Sequence, residues 1–268
     1  MSRKFSNKKV VSPKVKNKTV KQKKAAKSKF ANIAPIEFNG KGALFLIMAS
    51  HKNKQYNIDS TMDSWIKDLG SNNGYCFVLE KPMNKIKHFT INTSPKQAKL
   101  HDAYSNRILL DLFKDKMNVF ASKFERICFC TDTTYINVSK FNSDKKHWGY
   151  VSSMLPSSTE KLLKINSKIS PEEVRMYHGE AGFCLSSDAV IEISKMIASN
   201  NDLVLDRWDA TIGYCMHLMG AKFNHDEKTN LFPHTILNHT SKEIKDSKSY
   251  GYCKFYDKKH IFDTIKSQ

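Results

Sequence analysis

Three short stretches carry side chains of the kind that do chemistry. Thr131-Asp132-Thr133 sets a carboxylate between two hydroxyls, directly after the apolar run Arg126-Ile127-Cys128-Phe129-Cys130. Gly179-Glu180-Ala181-Gly182 spaces two glycines around a carboxylate and a methyl group. Glycine lets backbone approach a ligand closely. Trp208-Asp209-Ala210 puts an aspartate at the start of a helical pattern. There the helix dipole favours the ionised carboxylate and keeps it available to accept a proton. Each aspartate also has a plainer reading: Asp132 as a turn former at a strand end, Asp209 as an ordinary helix cap.

These residues need elements to position them. Gly42-Ala43-Leu44-Phe45-Leu46-Ile47-Met48-Ala49 and Gly74-Tyr75-Cys76-Phe77-Val78-Leu79 are short apolar runs, as expected of buried parallel strands. Arg126–Cys130 predicts a third. Between the first two, Ser60-Thr61-Met62-Asp63 has capping-box character, and Met62, Trp65, Ile66 and Leu69 share a helical face ending at Gly70. Lys99 to Phe120 reads as a longer helix with Ala103, Leu110, Phe113 and Met117 on one stripe. Ser186 or Ser187 is expected to cap a helix carrying Val190, Ile193 and Ile197. Another helix should run from about Asp209 through Ile212, Cys215, Met216 and Met219 to Gly220. Strand alternating with helix predicts an α/β domain with a mainly parallel central sheet. Ligands of such sheets bind beyond the carboxyl ends of the strands, which makes Asp132 a candidate ligand contact.

The order of these segments resembles the core of the fringe-like β-1,3-glycosyltransferases. Leu46-Ile47-Met48-Ala49-Ser50, followed by Ser60 to Ser64-Trp65, is similar to the family's opening strand, loop and helix. Phe77-Val78-Leu79-Glu80 is similar to its second strand and closing acid. Thr131 to Val138 resembles the acidic metal-motif segment, and Gly179 to Cys184 the glycine-rich segment. Trp208-Asp209-Ala210-Thr211-Ile212-Gly213-Tyr214 resembles the segment holding the catalytic base. Leu231-Phe232-Pro233-His234 falls where the family has a Phe-His element. Together these span roughly residues 43–240.

The resemblance implies a GT-A fold and an inverting transfer of a sugar from a UDP-sugar to a hydroxyl of a glycan or glycoprotein. It implies Asp209 as the base, and Ser50, Glu80, Asp132, Gly179, Glu180, Ala181 and Gly182 as donor contacts. Asp132 and His234 would hold Mn2+ or Mg2+, with His239 as the alternative histidine. Threonines stand at 131 and 133 where the family has its outer acids, and Glu180 stands where a second glycine is usual. Three readings follow for the leaving diphosphate. Asp132 serves it through a shifted loop, a basic side chain neutralises it, or activity has been lost and the chain is a glycan-binding or scaffolding protein. The family's usual disulfide partner of Cys184 is Ala210 here.

Composition sets the outer bounds. The chain has 268 residues, 40% of them apolar, enough to bury a full core as one domain. The net charge is +18, but residues 1–30 alone hold eleven lysines, one arginine and no acid. The division expected is a disordered, lysine-rich tail over residues 1–31 and a catalytic domain over 32–268. The tail could contact nucleic acid or another polyanion, serve as a nuclear-localisation signal, or merely solubilise. No run of about 18 apolar residues or signal-peptide core is seen, so an intracellular protein is expected. The six cysteines include no Cys-x-x-Cys pair and are read as buried thiols.

Overall fold

The computed structural model describes residues 42–49, 54–79, 88–90, 111–114, 116–138, 147–224, 230–231, 242, 249–250, 263–264 and 266. The predicted tail lies outside them. The first strand, β1 (Ala43–Met48), is buried along its whole length. Its sequence is apolar at every position because both faces are covered. Leu44, Leu46 and Met48 enter one core, while Ala43, Phe45 and Ile47 enter another on the opposite face. Burial of each large side chain stabilises by about 1.5–3 kcal/mol.

The same division repeats across the sheet. Strand β2 (Gly74–Leu79) sends Cys76 and Val78 to the first core and Phe77 and Leu79 to the second. Strand β3 (His88–Thr90) pairs with it in parallel. Strand β4 (Arg126–Thr131) runs parallel to β1 on the other side, with Ala43 opposite Arg126 and Met48 opposite Thr131. After β5 (Tyr135–Ile136) come β6 (Trp148–Gly149), β7 (Val151–Ser153) and β8 (Arg175–Tyr177). Strand β9 (Phe183–Ser186) then pairs with β4 in the antiparallel sense. The order of the six-stranded sheet is β3-β2-β1-β4-β9-β6, so the fold is α/β with a mainly parallel central sheet.

Helices cover both faces. Helix α1 (Lys54–Asp63) and the 3-10 turn Ile66–Asp68 bring Ile58, Trp65 and Ile66 onto the second core. The helix lies earlier than the capping-box pattern predicts. Ser60 Oγ and Thr61 Oγ1 donate to the Asn57 carbonyl at 2.9 and 2.7 Å, so these hydroxyls back-bond inside the helix rather than cap it. The first core receives helical residues 111–114, α2 (Met117–Ala121), and then α4 (Ser187–Ser199) and α5 (Trp208–Leu218), which follow α3 (Pro156–Ile165) in the chain. The predicted 99–120 helix is interrupted: Lys116, at φ −128°, separates its last two pieces, and residues 99–110 lie outside the described part.

Helix α4 starts as expected, with the Ser186 hydroxyl accepting from the Ala189 amide. Helix α5 is buried on both sides. Ile212, Cys215 and Met216 meet the first core, while Ala210 and Tyr214 join a third core with Leu162, Val174 and Met176.

The cysteine reading needs one correction. Cys128 and Cys184 are register partners across β4 and β9 and are joined as a disulfide. Antiparallel pairing places two same-face side chains directly opposite, a relation that sequence spacing conceals. Cys76, Cys130 and Cys215 are buried free thiols, as expected. Cys253 lies outside the described residues.

Candidate functional site

Strand β4 ends in a tight turn. The Thr134 amide donates to the Thr131 carbonyl at 3.0 Å, and the Thr131 amide donates to Thr134 Oγ1 at 3.0 Å. The hydroxyl of Thr131 lies 2.8 Å from that of Thr133 and 3.2 Å from that of Thr134. The neighbouring strand and helix fix this turn in place. The Asp132 amide donates to the Met48 carbonyl at the end of β1 (2.9 Å), and Thr61 Oγ1 donates to the Asp132 carbonyl (3.3 Å). Trp65 Nε1 donates to the Thr134 carbonyl at 3.2 Å. Asp132 therefore sits at the carboxyl end of the parallel strands, where the sequence pattern puts it, and it is buried.

The glycine segment packs onto this turn from β9's side. Thr134 Oγ1 donates to the Glu180 carbonyl at 2.9 Å, tying two segments 46 residues apart. Gly182 has φ +80°, a left-handed conformation that a side chain would strain. Gly179 is required for another reason. A Cβ there would press into Trp208 Cζ2 and lie 2.6 Å from Cη2. The glycine makes room for an indole, and that indole belongs to an aromatic floor. Phe183 stacks on Trp208, Tyr177 and Phe129 at centroid distances of 5.6, 5.4 and 5.2 Å. The Tyr177 hydroxyl accepts from the Asn224 amide at 2.9 Å, and burial pushes its pKa up to about 12.

Asp209 closes the third side. Its side chain is wholly buried and accepts four hydrogen bonds. Oδ1 takes them from Arg207 Nε (3.1 Å) and the Ala210 amide (2.9 Å). Oδ2 takes them from Arg207 Nη2 (3.1 Å) and the Gly179 amide (3.1 Å). The bidentate fork neutralises a carboxylate that burial would otherwise make costly. His178, next to Gly179, has its pKa lowered by burial. The Asp209 carboxylate opposes that shift and the Arg207 guanidinium adds to it.

Asp132, Gly179, Glu180, Ala181, Gly182 and Asp209 thus gather in one region, although the chain separates the first from the last by more than seventy residues. Ser50, Glu80, His234 and His239 lie outside the described residues. Sequence reasoning missed Arg207, Trp208 and Thr134. The only signal for Arg207 was its place two residues before Asp209; its backbone is extended at the start of the helix, and its long side chain folds onto the acid.

The donor set can be weighed against a divalent cation. Magnesium and manganese favour several carboxylate or carbonyl oxygens. The Thr131–Thr134 turn offers one carboxylate, Asp132, and hydroxyls already bonded to one another. Among the described residues no group of three His, Cys, Asp or Glu side chains is gathered to hold a metal. The described residues do not fit the ion. Nor is any helix among them long and apolar enough to cross a membrane.

No family model matches the chain. No curated protein matches it either. Among solved structures, the chain is similar to a glycosyltransferase involved in the glycosylation of the major capsid of PBCV-1. Identity is 14%, the match covers 81% of this chain and 98% of that one, and the TM-score is 0.44.

Proposed function

We propose that the chain is a glycosyltransferase that moves a sugar from a nucleotide sugar, a UDP-sugar in the first instance, to a hydroxyl of a glycan or glycoprotein. One observation carries this reading. Three segments that resemble the metal-motif, glycine-rich and base-bearing parts of the fringe-like enzymes converge on one another through the Thr134–Glu180 and Gly179–Asp209 hydrogen bonds. They do so at the carboxyl end of parallel strands, where α/β sheets bind ligands. In this reading Asp132, Gly179, Glu180, Ala181 and Gly182 contact the donor together with Ser50 and Glu80, and Asp209 accepts the acceptor's proton in an inverting displacement. A Mn2+ or Mg2+ would need His234, which lies outside the described residues, as well as Asp132, because the described residues alone do not make a cation site.

A second reading, nucleotide-sugar binding without transfer, is favoured by the closure of Asp209 under four hydrogen bonds. A screen of UDP-sugars against glycan acceptors, with and without Mn2+, separates the two. Turnover that Asp209→Asn abolishes supports transfer. UDP binding without turnover of any donor supports the binding-only reading, and absence of both refutes the proposal.

A further inference from the structure

Arg207 has no place in the function as stated, yet it is the cation bonded into the heart of the site. Its side chain is 25% exposed while that of Asp209 is 0% exposed, so the fork spans from solvent to a sealed carboxylate. Through Asp209 it is linked to Gly179, and through the adjoining Glu180 carbonyl to Thr134. The Thr131–Thr134 turn contributes hydroxyls and one acid but no positive charge. A departing diphosphate needs positive charge, and a base needs an open lone pair. The same guanidinium, moved once, supplies both.

We propose that Arg207 is a two-position latch that binds either Asp209 or the diphosphate of a nucleotide. The inference rests on the glycosyl-transfer reading for its chemistry, but not for its binding test. Without ligand the fork lies on Asp209. An arriving diphosphate, with more charge and the same bidentate geometry, draws the fork away. Asp209 then keeps its bonds from Gly179 and Ala210 and exposes the lone pairs that Arg207 covered. In transfer, the acceptor oxygen bonds to the anomeric carbon and its proton passes to Asp209. The bond from that carbon to the diphosphate oxygen breaks, and the electron pair leaves with the diphosphate, facing Arg207.

The latch makes a prediction opposite in sign to a structural role. Because Asp209 competes with diphosphate for Arg207, neutralising Asp209 should tighten diphosphate binding. Calorimetry on the full chain with UDP and with inorganic pyrophosphate reads this directly. Every variant keeps the lysine-rich tail, so its background is common to all. Asp209→Asn should bind both ligands about tenfold more tightly than the wild type, and Arg207→Gln at least tenfold more weakly. Lys195→Gln removes the same charge from an exposed pair on α4 and should change neither. On the unmutated chain, the Arg207 Nε–H resonance, assigned by its loss in Arg207→Lys, should shift when pyrophosphate is added.

Equal affinities in wild type, Asp209→Asn and Arg207→Gln would overturn the latch and leave nucleotide binding standing. Pyrophosphate binding that follows the predicted pattern, with UDP bound no better and no donor turned over, would sustain the latch and sink the sugar-nucleotide reading. No binding of either ligand refutes the latch. Should Asp209→Asn fail to fold, an unmoved Arg207 resonance does the same.

Discussion

Replacing Gly179 by alanine should break the site through a single methyl group. The added carbon meets Trp208 at Cζ2 and Cη2, inside van der Waals contact. Trp208 is 8% exposed and stacked on Phe183, so it cannot slide away freely. Overpacking of this kind costs about 1–3 kcal/mol. If the 179–182 segment moves instead of the indole, the Gly179–Asp209 hydrogen bond at 3.1 Å is lost, at about 1 kcal/mol more. A central figure of about 2 kcal/mol lowers the melting temperature by about 4–8 °C for a domain of this size. Thermal unfolding by circular dichroism measures it. The decisive variant is the pair Gly179→Ala with Trp208→Phe. The clashing atoms belong to the six-membered ring of the indole at positions that phenylalanine leaves empty. Trp208→Phe alone should cost about 1–3 kcal/mol as a cavity. The double variant should be more stable than the sum of the singles by about 1–2 kcal/mol. Simple additivity would refute the claim that Gly179 exists to seat Trp208. Donor binding should fall in Gly179→Ala and recover in the pair.

Trp65→Phe should destabilise by about 1–3 kcal/mol, because it leaves the buried Thr134 carbonyl without its 3.2 Å indole donor; urea unfolding reads this. Reduction of Cys128–Cys184, which closes a loop with a sequence separation of 56, should cost about 4 kcal/mol by chain entropy. Cys128→Ala should lower the melting temperature of the oxidised chain and remove its response to reductant. His178 has a depressed pKa in the fold, so its neutral form contributes stability above pH 6.5 that is lost as pH falls through the folded value. His178→Gln should flatten the acid limb of a melting-temperature profile just below pH 6.5. Tyr177 works in the other direction. Its pKa is raised to about 12, so stability is fully present below pH 10 and declines between pH 10 and about 12, and Tyr177→Phe should remove that decline.

The strands were legible because burial on both faces leaves an unmistakable record. β1, β2 and β4 are apolar at almost every position and need no knowledge of their partners. Helix α4 was equally plain, since its cap and its stripe are local. Helix α1 was displaced because hydroxyls at 60 and 61 read as caps until their acceptor, the Asn57 carbonyl, is known. The gathering of Asp132, the glycine segment and Asp209 followed from motif order, but the reasons for individual residues did not. Gly179 suggests access for a ligand, and the structure adds a second demand on it, room for an indole. Arg207 was invisible because its role depends on its side chain folding onto the acid two residues on, which spacing alone does not record. The disulfide escaped for the same reason, as strand register sets it rather than spacing.

The central position of β1 has a consequence for how the chain is made. Among the described strands it emerges first from the ribosome, and β2 can cover one edge soon after. The other edge waits for β4, whose first residue lies roughly 80 positions later, or several to about fifteen seconds at ordinary rates of synthesis. Through that interval Ala-Leu-Phe-Leu-Ile-Met presents an open, uncharged strand edge of the length and composition that favour intermolecular pairing. Yield in a cell should therefore depend on chaperone cover and on translation speed across residues 80–125. Slower codons there should lower the soluble fraction while leaving the finished protein's stability unchanged.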